Sequence, residues 1–113
     1  MPIVIGSASF ANQSLLNSTL DTLNAATPIK IIATGGATQA EQWAAAWAAT
    51  KGIPVLFLTS YLDAAGFIYS NKGLAMMCVT KLLRLLTAGT SARITAAIAA
   101  APTRPTPVVV TQI

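Results

Sequence analysis

A chain of 113 residues has room for one domain of ordinary size around a single core. It is 54% hydrophobic and only 9% charged, with no histidine and one cysteine. That inventory excludes a histidine-based catalytic triad, a conventional zinc centre and a disulfide framework. The net charge of +4 rests on Lys30, Lys51, Lys72, Lys81, Arg84, Arg93 and Arg104. They are scattered along the chain, which argues against a dedicated nucleic-acid surface, and most of them read as ordinary solvated side chains. Attraction of a small anion to a cleft stays compatible with this distribution. So little charge, beside so much alanine, should leave apolar patches that a homo-oligomer, a dimer or larger, would cover.

The N-terminus lacks the basic start and apolar core of a secretion signal. No apolar run reaches the about 18 residues of a membrane-spanning helix. We therefore expect a cytoplasmic protein that does not enter membranes, with the lone Cys78 a buried, inert thiol.

In chain order, Ile3-Val4-Ile5 is a short β-branched run ending at Gly6-Ser7, the pattern of a buried strand followed by a turn. Residues 12–24 then read as a helix. Leu16, Leu20 and Leu23 share a face, Asn12 or Ser14 can cap the start, and Thr27-Pro28 ends it. A second strand over 29–34 stops at Gly35-Gly36, and helix resumes over 38–50. On that helix Trp43 and Trp47 are four residues apart, and Ala40, Ala44 and Ala48 make a smooth second stripe. Tryptophans at this spacing are more often core or subunit interface than a base-stacking platform. Gly52 closes the helix and 54–58 makes a third strand.

Residues 61–70 mix aromatic and small side chains without periodicity and suggest a lid or pocket wall. A helix is expected over 71–78 and a fourth strand over 81–86, although K-L-L-R-L-L is also compatible with helix. Another small-residue corner, Thr87 through Ser91, leads to a helix over 92–100 and a last strand over 107–111. Five strands alternating with four helical segments give a single α/β domain over 1–113: a Rossmann-like, doubly wound parallel five-stranded sheet with right-handed crossovers. Ligands of such sheets bind outside the strand carboxyl ends where strand order reverses. The corners at Gly6, Gly35-Gly36 and Gly89-Thr90 all follow strands, so they should converge there. Paired glycines admit close backbone approach and helix N-termini attract anions, usually phosphates, though Gly-Gly after a strand also serves as a plain turn.

The only carboxylates are Asp21, Glu41 and Asp63. Glu41 falls in the first turn of its helix, where simple stabilisation of the helix dipole accounts for it.

With these corners in place, the chain resembles the Rossmann-like superfamily called SLOG, which includes the Lonely-guy nucleotide phosphoribohydrolases and the DNA-processing protein A group. The resemblance is strongest to a small bacterial and phage branch. It rests on Gly6-Ser7, Gly35-Gly36-Ala37, Ala40-Glu41, Gly52-Ile53-Pro54-Val55, Asn71 with Met76, and Gly89-Thr90. Departures are informative. Thr38 and Gln39 stand where the branch prefers Arg and Gly, Glu41 replaces an Asp, and Ser70 replaces an Arg. Arg93 occupies the position of the phosphoribohydrolases' catalytic glutamate.

The resemblance implies a non-enzymatic binder of a nucleotide-derived small molecule, acting as a sensor or as a protein that sequesters a signal, such as a phage protein blunting a host defence. No cofactor, metal or catalytic residue is expected. The ligand-binding residues would be Gly6, Ser7, Gly35, Gly36, Ala37, Glu41, Asn71, Gly89, Thr90 and Ser91, with the 61–69 loop helping Asn71 read base or ribose. Two alternatives stay open: a nucleotide N-glycosidic or phosphoester hydrolase using Glu41 or Asp63, and an assembly protein with a vestigial pocket.

Overall fold

Strand β1 (Pro2–Gly6) forms where β-branched residues crowd both faces, and all of it is buried. That is the signature of a central parallel strand covered on both sides. The computed structural model describes residues 2–57, 83–100 and 108–113. After β1 come α1 (Gln13–Ala26), β2 (Ile32–Thr34), α2 (Gln39–Thr50), β3 (Val55–Phe57), β4 (Leu83–Ala88), α3 (Ala92–Ala100) and β5 (Val108–Gln112). The strands form one sheet in the order β3-β2-β1-β4-β5, and every neighbouring pair is parallel. The Rossmann-like α/β architecture expected from the sequence is the one observed.

Several boundaries shift by a residue or more from expectation, two of them for identifiable reasons. β2 begins at Ile32 rather than at 29, because the Ile29 N–H is taken by the Asn24 side chain at 2.8 Å and stays with the end of α1. β4 continues through Thr87 and Ala88, which pair with Ile5 and Gly6. The Ser7 N–H extends that ladder to the Ala88 carbonyl at 2.8 Å. Small size made Thr87-Ala88 resemble a corner; in the central strands it lets helices approach closely. The expected helix over 71–78 and the 61–70 stretch, with Asp63, Asn71 and Cys78, lie outside the described residues.

Stepping from β1 to β2 to β3 moves one way across the sheet and from β4 to β5 the other, so right-handed crossovers put α1 and α2 on one face and α3 on the opposite one. The first face holds the main core. Val4, Ile32, Leu86 and Ala88 from the sheet meet Leu16 and Leu20 of α1 and Ala40, Ala44, Trp47 and Ala48 of α2. The alanine stripe brings α2 close to the sheet, and Trp47, 5% exposed, fills the seam between the helices. Its indole N–H donates to Asp21 Oδ1 at 2.9 Å, and Lys51 Nζ lies 3.6 Å from the same oxygen. The exposed ion pair adds little. Trp47 is therefore a core residue, one of the two roles its spacing allowed.

Arg84 is not a solvated surface cation. It is 6% exposed beneath the end of α1, donating to the Leu23 carbonyl at 3.0 Å and the Thr27 carbonyl at 3.3 Å. Burial lowers its pKa below the usual arginine value by desolvation, yet a guanidinium keeps its proton in any ordinary buffer. Its charge faces the negative end of the α1 dipole, and of the two carbonyls it bonds, that of Leu23 also accepts the Thr27 N–H at 3.0 Å. Among the described residues no helix is long and apolar enough to cross a membrane.

Truncating Trp47 to Ala should cost about 3–5 kcal/mol, as for other large core residues. Trp47→Phe should forfeit about 0.5–1.5 kcal/mol for the lost hydrogen bond, plus a smaller packing loss. Urea titrations followed by far-UV circular dichroism would check the pair; near-equal losses would remove Trp47 from the core.

Candidate functional site

At the carboxyl edge of the sheet, the sequence Thr38-Gln39-Ala40-Glu41 starts α2 with a capping arrangement. The Thr38 hydroxyl accepts from the Glu41 N–H at 3.4 Å and donates to Glu41 Oε2 at 3.1 Å. In an ordinary capping box the glutamate would turn back to the N–H of the capping residue itself. Here it reaches further. Oε1 accepts the Ala37 N–H at 3.2 Å, and Oε2 accepts the Gly6 N–H at 3.1 Å, across from β1. The carboxylate is 0% exposed, and its charge faces the positive end of α2.

This latch explains two of the glycines. A Cβ on Gly6 would lie 2.6 Å from the Ala40 Cβ and 2.8 Å from the Thr38 hydroxyl oxygen, because the first turn of α2 packs directly on the end of β1. A Cβ on Gly35 would lie 2.9 Å from Glu41 Oε1. Gly36 is constrained differently, by a φ of +69° that side-chain-bearing residues rarely adopt. Its carbonyl accepts from the Gln42 amide at 3.3 Å.

The third corner meets the first directly. Gly89 has a φ of +85°, and a Cβ there would collide with Ser7 Oγ and lie 3.4 Å from the Phe10 Cβ. The Gly89 N–H bonds the Ile113 carbonyl at 2.9 Å, fixing the corner to the end of β5. Ser7 is buried, with its Oγ 3.4 Å from that of Ser9. Ser91 caps α3 by accepting the Ile94 N–H at 3.2 Å, and Asn12 caps α1 by accepting the Leu15 N–H at 3.0 Å.

The described residues selected from sequence thus lie along one edge, joined by Glu41 between the first and second corners and by Ser7 against Gly89 between the first and third. Their exposure separates them. Gly6, Ser7 and Glu41 are buried supports, Gly35, Gly36, Gly89 and Ser91 are half-buried, and Ala37 and Thr90 are exposed. Asn71 lies outside the described residues. Sequence reasoning passed over Thr38, whose signal was the T-x-x-E spacing, and Phe10 and Ser9, which carried none. The β1 and β4 corners flank the point where strand order reverses, with the N-termini of α1 and α3 beside them. Such an edge offers hydroxyls, backbone amides and helix dipoles to an anion. Glu41, with both oxygens occupied and no solvent access, is not placed to act as a base. Asp21 is engaged elsewhere, by Trp47 and Lys51.

Glu41→Gln keeps the shape of the side chain but turns one acceptor into a donor facing an N–H group. It should destabilise the fold by about 2–4 kcal/mol, the cost of a lost charge-assisted bond and an unpaired buried donor. Chemical denaturation of the purified variant measures this, and wild-type stability would show that the carboxylate is not needed as a triple acceptor.

No curated protein and no solved structure gives a significant match to this chain. A family model does, and its match over residues 2–61 runs from β1 through β3 and includes the Gly6-Ser7 corner, the Gly35-Gly36 corner and the Glu41 latch. More than half of the chain is covered, on the fold that its motifs led us to expect. The chain belongs to the YspA, cpYpsA-related SLOG family.

Proposed function

We propose that the chain binds a nucleotide-derived small molecule at the carboxyl edge of its sheet without chemically altering it, as a sensor or a sequestering protein. The observation that carries this is the contact of Ser7 with Gly89, which brings the β1 and β4 corners together where the strand order reverses. Membership of a SLOG family supports a nucleotide-related ligand. Binding rather than hydrolysis is supported by the enclosure of Glu41 and by Arg93 at the position of a catalytic glutamate in the phosphoribohydrolases. Sequestration of a host defence signal by a phage protein is the biological role that the resemblance favours. We also propose self-association, motivated by the 9% charge content and by the exposed Leu15 and Val109. Trp47 belongs to the core and is unavailable for that contact.

Thr90 is the informative position, because it is exposed and its replacement leaves the latch and the core intact. Gly36→Val would mix ligand effects with backbone strain at positive φ. Thr90→Ala should weaken binding by about 0.5–1.5 kcal/mol if the hydroxyl makes one neutral hydrogen bond, and by roughly double if it meets an ionised phosphate. Thr90→Asp should weaken it at least about tenfold through like-charge repulsion. Native mass spectrometry of the purified protein, followed by calorimetry with the nucleotide found, decides the matter. Unchanged affinity in both variants would move the ligand away from this edge.

A further inference from the structure

Phe57 is 59% exposed, the highest value among the exposed large hydrophobic side chains of the described residues. It ends β3 in register with Thr34, at the carboxyl edge, beside the Gly35-Gly36 corner. Its Cδ1 and Cε1 lie 3.4 Å from the place a Cβ on Gly36 would occupy, so part of the ring rests on bare backbone and the rest faces solvent. That backbone is held by the Gln42 amide on its carbonyl and by its own left-handed conformation. Core packing does not account for the ring. Val55, on the same face two residues earlier, packs against the core cluster, whereas Phe57 is left exposed beside the Gly35-Gly36 corner.

We propose that Phe57 is the stacking platform for the planar, aromatic portion of the ligand, a nucleobase, whose phosphate end lies at the Ser7 and Thr90 corners. The proposal rests on the nucleotide-binding function above and adds the residue that would distinguish a nucleotide from a sugar phosphate. β3 lies two strand spacings from β1 and three from β4, about 10 and 14 Å, a span that a base, its ribose and a phosphate chain cover when extended. A phenyl face stacks on any base, so this contact selects for the presence of a base rather than its identity.

The test is calorimetry of wild type, Phe57→Ser and Phe57→Trp with ribonucleoside monophosphates, their cyclic forms, NAD and ribose 5-phosphate. Sedimentation velocity and urea midpoints would be measured on the same samples. Phe57→Ser should keep the fold, lose about 5- to 100-fold in nucleotide affinity and bind ribose 5-phosphate as wild type does. Phe57→Trp should restore nucleotide binding, with indole emission quenched by the base. If wild type and Phe57→Ser bind nucleotides equally, the stacking role fails while the nucleotide-binding function stands. If wild type binds none of the panel, both fail. Should Phe57→Ser dissociate an oligomer with nucleotide affinity unchanged, the ring belongs to a subunit interface and the proposal is overturned.

Discussion

The carboxyl edge of this sheet depends on one buried carboxylate. Glu41 accepts hydrogen bonds from the Gly6 N–H, the Ala37 N–H and the Thr38 hydroxyl, on two different strand-to-helix corners. A carboxylate without solvent is expensive unless its lone pairs are filled, and here ordered donors fill them. The geometry propagates from there. Because the carboxylate must reach Gly6, the first turn of α2 is drawn against the end of β1, Ala40 is pressed onto Gly6, and no side chain fits at Gly6 or Gly35. The rim from Gly35 to Thr38 is thereby tied to the end of β1, and preorganisation of this kind would lower the cost of ordering on the proposed binding.

Glycine at a strand's carboxyl end carries an ambiguous message, and this chain shows why. From sequence, Gly6, Gly35, Gly36 and Gly89 all suggested room for a ligand. The structure shows the chain itself occupying the space beside each: Ala40 and Thr38 at Gly6, Glu41 at Gly35, Phe57 at Gly36, Ser7 at Gly89. Close approach was the correct physical inference, but sequence does not say what approaches. The exposed positions that follow or flank these glycines, such as Ser9, Ala37 and Thr90, are better candidates for direct contact than the glycines themselves.

Most of the architecture was legible because the relevant signals are local. β-branched runs, the leucine spacing of α1, the alanine stripe of α2 and the punctuation at Gly52 each report on a few neighbouring residues, and parallel order follows from their alternation. What stayed hidden was non-local. Nothing near Ile29 announces that Asn24 will take its N–H, and nothing near Thr87 announces that Ile5 will pair with it. The candidate site was legible as residues sharing one edge but not as a set of contacts. Glu41 read as a helix-end charge, which it is, but its reach to Gly6 spans 35 positions.

The two charges most deeply placed in the described core share a principle. Glu41, at the N-terminus of α2, accepts from N–H donors and a hydroxyl; Arg84, under the C-terminus of α1, donates from its two terminal nitrogens to backbone carbonyls. Neither uses an opposite charge for these bonds. Each instead sits where the helix dipole has the complementary sign and where its atoms reach backbone groups. A chain with so few charged residues thus commits two of them to tying helix ends to strands. Among the described residues, the proposed binding edge offers hydroxyls, backbone and an exposed ring, groups that would recognise a ligand by shape, hydrogen bonding and stacking.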